Sequence, residues 1–208
     1  MEYTPEKLNY FRVCYITFKL IPRGLRRIFK QEWDFRYKGA FGEWKDTPKN
    51  GRELYSLESP ESRQRFASPL KIIQNGNTTE WDISCLLFAI LFSNSIGATL
   101  SPAIKRRVDD LRTLRNEIVH LLEASLTDFE FQNYADRVLD AFSWLGLSVD
   151  DIRSVTYQRS FPTPEVKSIE DLGDVTDKPK AQVAPAGTVI PIETKEPSEH
   201  WDWSRKKT

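Results

Sequence analysis

Apolar residues recur every three or four positions through most of the first 158 residues of this 208-residue chain. This spacing is that of one face of an α-helix, whereas a half-buried strand alternates at every second residue. There is no sustained alternation, and no tight-turn dipeptide separates two runs of strand-forming residues. The sequence therefore predicts an all-α fold, an antiparallel helical bundle over residues 1–158. The clearest series is Leu8, Phe11, Tyr15, Phe18, Ile21, Leu25 and Ile28.

Proline, glycine and capping residues predict where the helices begin and end. The first helix is expected from about Pro5 to Lys30, with a kink or break at Pro22. A loop-rich insert at Gly39–Gly51 and a shorter helix near Pro60–Ile73 follow. Ser101 before Pro102, Thr127 before Asp128, and Gly146 are typical helix-boundary residues. The later helices are predicted at Thr79–Ser95, which is nearly apolar all round and therefore central, at Pro102–Ala124, at Asp128–Leu145, and as a last turn at Asp150–Val155.

The composition changes near residue 159. Six prolines follow, with scattered charges of both signs and no helical period, so residues 159–208 are predicted to be a disordered tail. Trp201 and Trp203 lie beside Arg205, Lys206 and Lys207 at its end. This terminal segment is either a frayed end or a short motif that docks on a protein partner or a nucleic acid.

Charge and cysteine content exclude several classes of protein. The 30 basic and 30 acidic residues cancel, which argues against a general polyanion binder but leaves room for a local basic patch. No apolar run approaches the ~18 residues of a membrane span. Cys14 and Cys85 both have apolar neighbours, which predicts no disulfide framework, no zinc site and a reducing, cytoplasmic setting. With no phosphate-binding glycine loop and no nucleophile elbow, we expect neither a cofactor nor a metal.

The predicted helix at Pro102–Ala124 carries the functional signal. At about 100° per residue, Asn116 and His120 share one polar face, while Arg115 falls at the edge of the apolar stripe. A guanidinium there must be paired or must face a second subunit, because an unpaired buried charge is very costly. An ion pair with Asp82 or Asp109 is one interpretation, and a subunit contact is the other.

The segment RNEIVH, from Arg115 to His120, matches the R-x4-H motif of the HEPN superfamily of helical bundles. The chain resembles in particular the HEPN domain of DAZ-interacting-protein-3-type E3 ubiquitin ligases and related invertebrate multidomain proteins. The resemblance covers about Leu8–Ser143 and includes LIPRGLRRIFKQEWDFRY at Leu20–Tyr37 and TTEWDISCLLFAIL at Thr78–Leu91. It implies a metal-independent endoribonuclease that acts on single-stranded RNA as a homodimer, with two motifs lining one cleft.

The resemblance also implies a role for each residue of the motif. His120 would transfer a proton, since an imidazole titrates near neutral pH. Arg115 would offset charge on the reacting phosphate. Asn116 would orient His120 or contact phosphate, and Asp82 would hold Arg115 or His120 in place.

RNA also needs a surface on which to bind. Two basic groups are suitable, one on the first helix and one on the motif helix, and nearby aromatic residues are candidates for base stacking. The alternative is a solvated basic face with its aromatic residues buried. The basic candidates are Arg23, Arg26, Arg27, Lys30, Lys105, Arg106, Arg107 and Arg112, and the aromatic ones are Trp33, Phe35, Tyr37 and Trp44.

A different class of function is also compatible with the sequence. The bundle can be a non-catalytic docking or dimerisation module, an adaptor in innate-immune or ubiquitin signalling, in which the motif only braces its helix. The environment of His120 separates the two hypotheses. A solvent-accessible His120 that lies in a cleft with Arg115 and basic residues favours the nuclease, whereas a His120 packed against Gly39–Gly51 favours the docking module.

Overall fold

The computed structural model describes residues 3–121 and 123–159, and within these ranges all regular structure is helical, which confirms the all-α fold. The predicted disordered tail lies outside the described residues from residue 160 onward. The helices are α1 (Pro5–Tyr15), α2 (Ile21–Phe41), α3 (Pro48–Leu57), α4 (Pro60–Arg65), α5 (Ala67–Ile73), α6 (Ile83–Leu91), α7 (Pro102–Val119), α8 (Asp128–Trp144) and α9 (Asp150–Tyr157).

Pro22 divides the first predicted helix, as expected. One π-helical turn, Ile16–Leu20, separates α1 from α2. Pro22 has no N–H to donate, and its ring crowds the carbonyl four residues earlier. A wider turn before the proline relieves that crowding and lets the chain continue as helix.

Several of the predicted boundaries are wrong. The segment Gly39–Gly51 is not a long loop, because α2 continues to Phe41 and α3 begins at Pro48. Tertiary burial overrides the loop-forming composition here, since Trp44 in the short connection is 6% exposed. The helix expected from Thr79 begins only at Ile83 and ends at Leu91.

The boundaries of α8 follow the predicted signals. Thr127 is the N-cap, and its side chain and that of Glu130 form a reciprocal capping box. Gly146 has a φ of 67°, the left-handed conformation that favours glycine after a helix. The end of α7, by contrast, was predicted wrongly: the helix ends at Val119 and not at Ala124. Beyond it, the Leu126 N–H donates to the Glu6 carbonyl at 3.1 Å.

The direction of each helix follows from the contacts between helices. α7 and α8 run antiparallel, since Glu117 bonds to Arg137, while Arg107, which comes earlier in α7, bonds to Asp140, which comes later in α8. α8 runs in the same direction as α1 and α2. Asn9 donates to Asp128, Thr17 bonds to Tyr134, and Gly24 contacts Phe142, so that both sequences ascend together.

Gly24 allows α2 to approach α8 closely. A Cβ atom at this position would lie 2.8 Å from Phe142 Cζ and 2.9 Å from Leu147 Cδ1, which is closer than any packed carbon contact. Gly39 lies in the same helix, and a Cβ atom there would meet nothing within 4 Å. The two glycines therefore differ in packing while sharing one backbone conformation.

We expect Gly24→Ala to destabilise the protein by about 1–3 kcal/mol, because a methyl group overfills this contact. Gly39→Ala should instead raise the free energy of unfolding by up to about 1 kcal/mol, since alanine is the better helix former. Urea denaturation of both variants against the parent measures the two shifts. Equal shifts of the same sign would show that packing at Gly24 is not the cause.

The two cysteines are both buried in the core and unpaired. Burial raises the pKa of the Cys14 thiol and of the Cys85 thiol to about 12. The thiolate is the reactive form of cysteine, so the native protein keeps both groups unreactive at neutral pH.

We expect a thiol reagent to label the native protein slowly and to label two thiols quickly in urea. A cysteine thiol ionises at lower pH in the unfolded chain than in the folded protein. The stability that these buried thiols give the folded state is therefore fully present below about pH 9 and is lost as the pH rises towards about 12. Urea melts at increasing alkaline pH should therefore show a falling free energy of unfolding. Fast labelling of the native state would contradict the burial of these groups.

Candidate functional site

The R-N-x3-H residues lie at the C-terminal end of α7. Arg115 and Asn116 occupy its last turns, and His120 is the C-cap residue, whose backbone N–H donates to the Asn116 carbonyl at 3.2 Å. The His120 side chain is exposed and makes no hydrogen bond to any other part of the described chain. Its imidazole is therefore accessible from solvent.

Arg115 is half-buried, in contrast to His120. Its Nη1 donates to Asn116 Oδ1 at 3.1 Å, while its Nε is buried and has no acceptor among the described residues. Burial lowers the pKa of Arg115, and the negative charge of Asp82 partly offsets that effect. A guanidinium stays charged in proteins, so this one presents a poorly compensated positive charge five residues before His120.

Asp82 is committed to a different task from the one expected. It is the N-cap of α6, and its Oδ1 accepts from the Cys85 N–H at 2.7 Å. It influences Arg115 through charge alone, without an ion pair. The other predicted partner, Asp109, bonds to Arg112 Nε at 2.6 Å. Neither of the two intrachain ion pairs considered for Arg115 is formed.

Two of the predicted RNA contacts on α2 hold the protein together. The Lys30 ammonium pairs with Asp46. Arg26 Nε donates to the Thr78 carbonyl at 2.6 Å, and its Nη2 donates to the Trp81 carbonyl at 3.2 Å. These cations are used to fix the segment that leads into α6, and they are not available for phosphate.

The other two basic candidates on α2 lie at a surface cavity. Arg23 pairs with Asp151 of α9 at 2.7 Å, and Arg27 is exposed. Both line a cavity of about 110 Å³, whose apolar wall includes Phe142 and Leu147. The motif residues at the end of α7 do not line this cavity, so it is not part of the candidate active site.

The basic residues of α7 divide into two groups. Arg107 pairs with Asp140 at 2.7 Å and Arg112 pairs with Asp109, whereas Lys105 and Arg106 are exposed. The pairing of Arg112 could have been read from the sequence, since residues three apart on a helix are neighbours. The pairing of Arg107 joins two helices and had no local signal.

The aromatic residues proposed for base stacking are mostly part of the core. Trp33 and Trp44 are buried against each other with ring centroids 4.9 Å apart, so the expectation that they stack on bases is wrong. Tyr37 donates its hydroxyl to the Ser95 carbonyl at 2.7 Å. Only Phe35 of this group is fully accessible, at 85% exposure.

The described residues also bear on the sequence expectations for a metal site and for a membrane span. In the described ranges, no three His, Cys, Asp or Glu residues are grouped in a way that would hold a metal ion. No helix among those same residues is both long and apolar enough to cross a membrane.

Comparison of the chain with models of protein families, with curated proteins and with solved structures gives no match. The HEPN relationship therefore stays a prediction, carried by the motif and its helical setting.

Replacement of Asp82 should separate its capping role from its charge. Asp82→Ala removes the cap of α6 and should lower the free energy of unfolding by about 1 kcal/mol, whereas Asp82→Asn should retain most of it, since Asn is an equally good N-cap. Urea denaturation of the two variants checks this difference. A loss of the same size in both would mean that the negative charge near Arg115, and not the cap, stabilises the fold.

Proposed function

We propose that this chain is an RNA-binding domain of the HEPN type and a metal-independent endoribonuclease that cleaves single-stranded RNA as a homodimer. The observation that supports this proposal is the combination at the end of α7. An accessible imidazole, His120, follows five residues after a guanidinium, Arg115, that forms no ion pair with a described carboxylate. The unpaired cysteines fit the reducing, cytoplasmic setting that we propose for this activity.

The chemistry requires only protein groups. The ribose 2′-oxygen attacks the adjacent phosphorus while a base removes its proton, and the bond to the 5′-oxygen breaks as an acid protonates that oxygen. The products are a 2′,3′-cyclic phosphate and a 5′-hydroxyl end. His120 is the group proposed for proton transfer, and Arg115 would stabilise the charge that develops on the phosphorane oxygens.

A second copy of the chain completes this scheme. Cleavage needs a base and an acid in the same step, and the motif supplies one imidazole per chain. Two copies meeting at the ends of α7 would bring two imidazoles and two guanidinium groups to one phosphodiester. The buried Nε of Arg115, which lacks an acceptor among the described residues, fits a helix edge whose surroundings are completed by a partner.

A non-catalytic docking or dimerisation module is the second candidate. It is favoured by the intrachain use of five predicted RNA-contacting cations, Arg23, Arg26, Lys30, Arg107 and Arg112.

Cleavage of a labelled single-stranded RNA in the presence of a chelator tests the proposal. The parent should cleave and leave 2′,3′-cyclic phosphate ends. His120→Ala should lower the rate by at least about 100-fold, as expected for a lost proton-transfer group, and Arg115→Ala should lower it by a similar factor. Light scattering of the same samples should show a dimer.

Two controls keep this test specific. His200→Ala removes the other histidine of the chain and should cleave like the parent. Thermal melting should give the same midpoint for His120→Ala and the parent, since an exposed side chain contributes little to stability. Cleavage by His120→Ala at the parental rate, or no cleavage by the parent, would remove the catalytic role and leave the docking module.

A further inference from the structure

We propose that Asp109 sets the affinity of this domain for RNA by holding Arg112 in an ion pair that a phosphate must displace. This inference rests on the proposed function and names a regulatory pair within it. Asp109 is a positioning residue here, because it acts on RNA through Arg112. The argument depends on where both side chains lie along α7.

One stripe of α7 carries the polar residues that lead to the motif. Lys105, Asp109, Arg112, Asn116 and His120 follow one another at three- and four-residue steps, so they share one face of the helix. From Lys105 to His120 this stripe is ~22 Å long at 1.5 Å per residue. It is therefore long enough to contact several nucleotides of a strand that reaches the motif.

Asp109 interrupts this stripe with the opposite charge. Its Oδ1 accepts from Arg112 Nε at 2.6 Å, so the guanidinium is held to a residue on the N-terminal side of Arg112, opposite in sequence to His120. Arg112 makes no other ion pair within the described chain. The pair therefore occupies one cation of the stripe, and it places a carboxylate that repels phosphate on the face proposed to bind RNA.

The pair is suited to exchange. Asp109 is 48% exposed and Arg112 is 22% exposed, and both belong to the same helix, so its loss separates no two elements of the fold. Ion pairs between side-chain neighbours on one helix contribute little to stability. A phosphate offers the same bidentate geometry to the guanidinium as a carboxylate does, and it carries the charge that Arg112 is placed to meet.

Asp109→Asn should therefore strengthen RNA binding. It removes a charge that repels phosphate and frees Arg112 for a further contact, and we expect about a threefold to tenfold lower Kd. Each phosphate contact to a single strand adds ~0.7 to the slope of log affinity against log salt, so the slope should steepen by about that amount. A role of Asp109 in folding alone would not change this slope.

The experiment is a double-mutant cycle in RNA affinity. The probe is a fluorescein-labelled 2′-O-methyl oligouridylate of about 12 nucleotides, which cannot be cleaved, and binding is followed by anisotropy from about 50 to 200 mM salt. The four proteins are the parent, Asp109→Asn, Arg112→Gln and the double variant. Asp110→Asn is the matched control, since it removes the same charge from the neighbouring residue, which lies beside Arg107 on another face.

The outcomes distinguish this inference from the proposed function. A tighter Kd and a steeper salt slope in Asp109→Asn, absent from the double variant and from Asp110→Asn, would support it. If the parent binds the probe and Asp109→Asn binds no more tightly than Asp110→Asn, the inference is overturned while the RNA-binding function stands. If none of the proteins binds the probe, both are overturned.

Discussion

Asp46 is the carboxylate on which the placement of α6 depends. Its Oδ1 accepts from the Thr78 hydroxyl at 2.7 Å and from the Thr78 N–H at 3.1 Å, and its Oδ2 pairs with Lys30 of α2. Asp46 has a φ of 54°, a left-handed conformation that Asp tolerates better than most residues, and this conformation turns the carboxylate inward. Arg26 then holds the same segment from its carbonyl side. The chain before α6 is thereby fixed to α2, so Asp82 begins α6 at a defined position beside α7.

The electrostatics of the candidate site follow from that position. Asp82 uses an oxygen to cap α6, and its charge reaches Arg115 from beyond ion-pair distance. The negative charge of Asp82 therefore partly stabilises the buried guanidinium of Arg115, although the two side chains form no ion pair. Asn116 takes one guanidinium N–H and leaves the buried Nε without an acceptor in the described structure. Such an arrangement is costly in a purely structural residue, and it is the condition under which an anion or a second chain gains most by approaching.

Local chemistry in the sequence predicted local structure well. The cap at Thr127, the left-handed Gly146 and the break at Pro22 depend only on a residue and its immediate neighbours, and all three were predicted correctly. The segment at residues 39–51 was mispredicted because Trp44, near its middle, is buried against Trp81, which is distant in sequence. The helix propensity of these residues predicts a loop, whereas tertiary packing makes both ends of the segment helical.

Partners that are distant in sequence also explain why several predicted RNA-binding residues form ion pairs instead. The sequence shows a row of basic residues on one helix face but does not show which acidic residues pair with them, because those can lie anywhere in the chain. Arg23 meets Asp151 across 128 positions, and Arg107 meets Asp140 on another helix. Neighbours within α7, such as the motif residues or Arg112 and Asp109, could be predicted from spacing, since helical geometry fixes which residues share a face.

The distinction between these two kinds of ion pair bears on how a neutral protein can still bind a polyanion. A pair that joins two elements, such as Arg107 with Asp140, contributes to the packing of α7 on α8, so its exchange for a phosphate weakens that packing. A pair within one helix, such as Arg112 with Asp109, can exchange without moving any other element. Cations of the second kind, together with unpaired ones such as Lys105, are those that a nucleic acid can recruit at little cost to the fold. Arg112 and Lys105 lie on α7, the helix that also carries Arg115 and His120, so binding and chemistry would share one element of the structure.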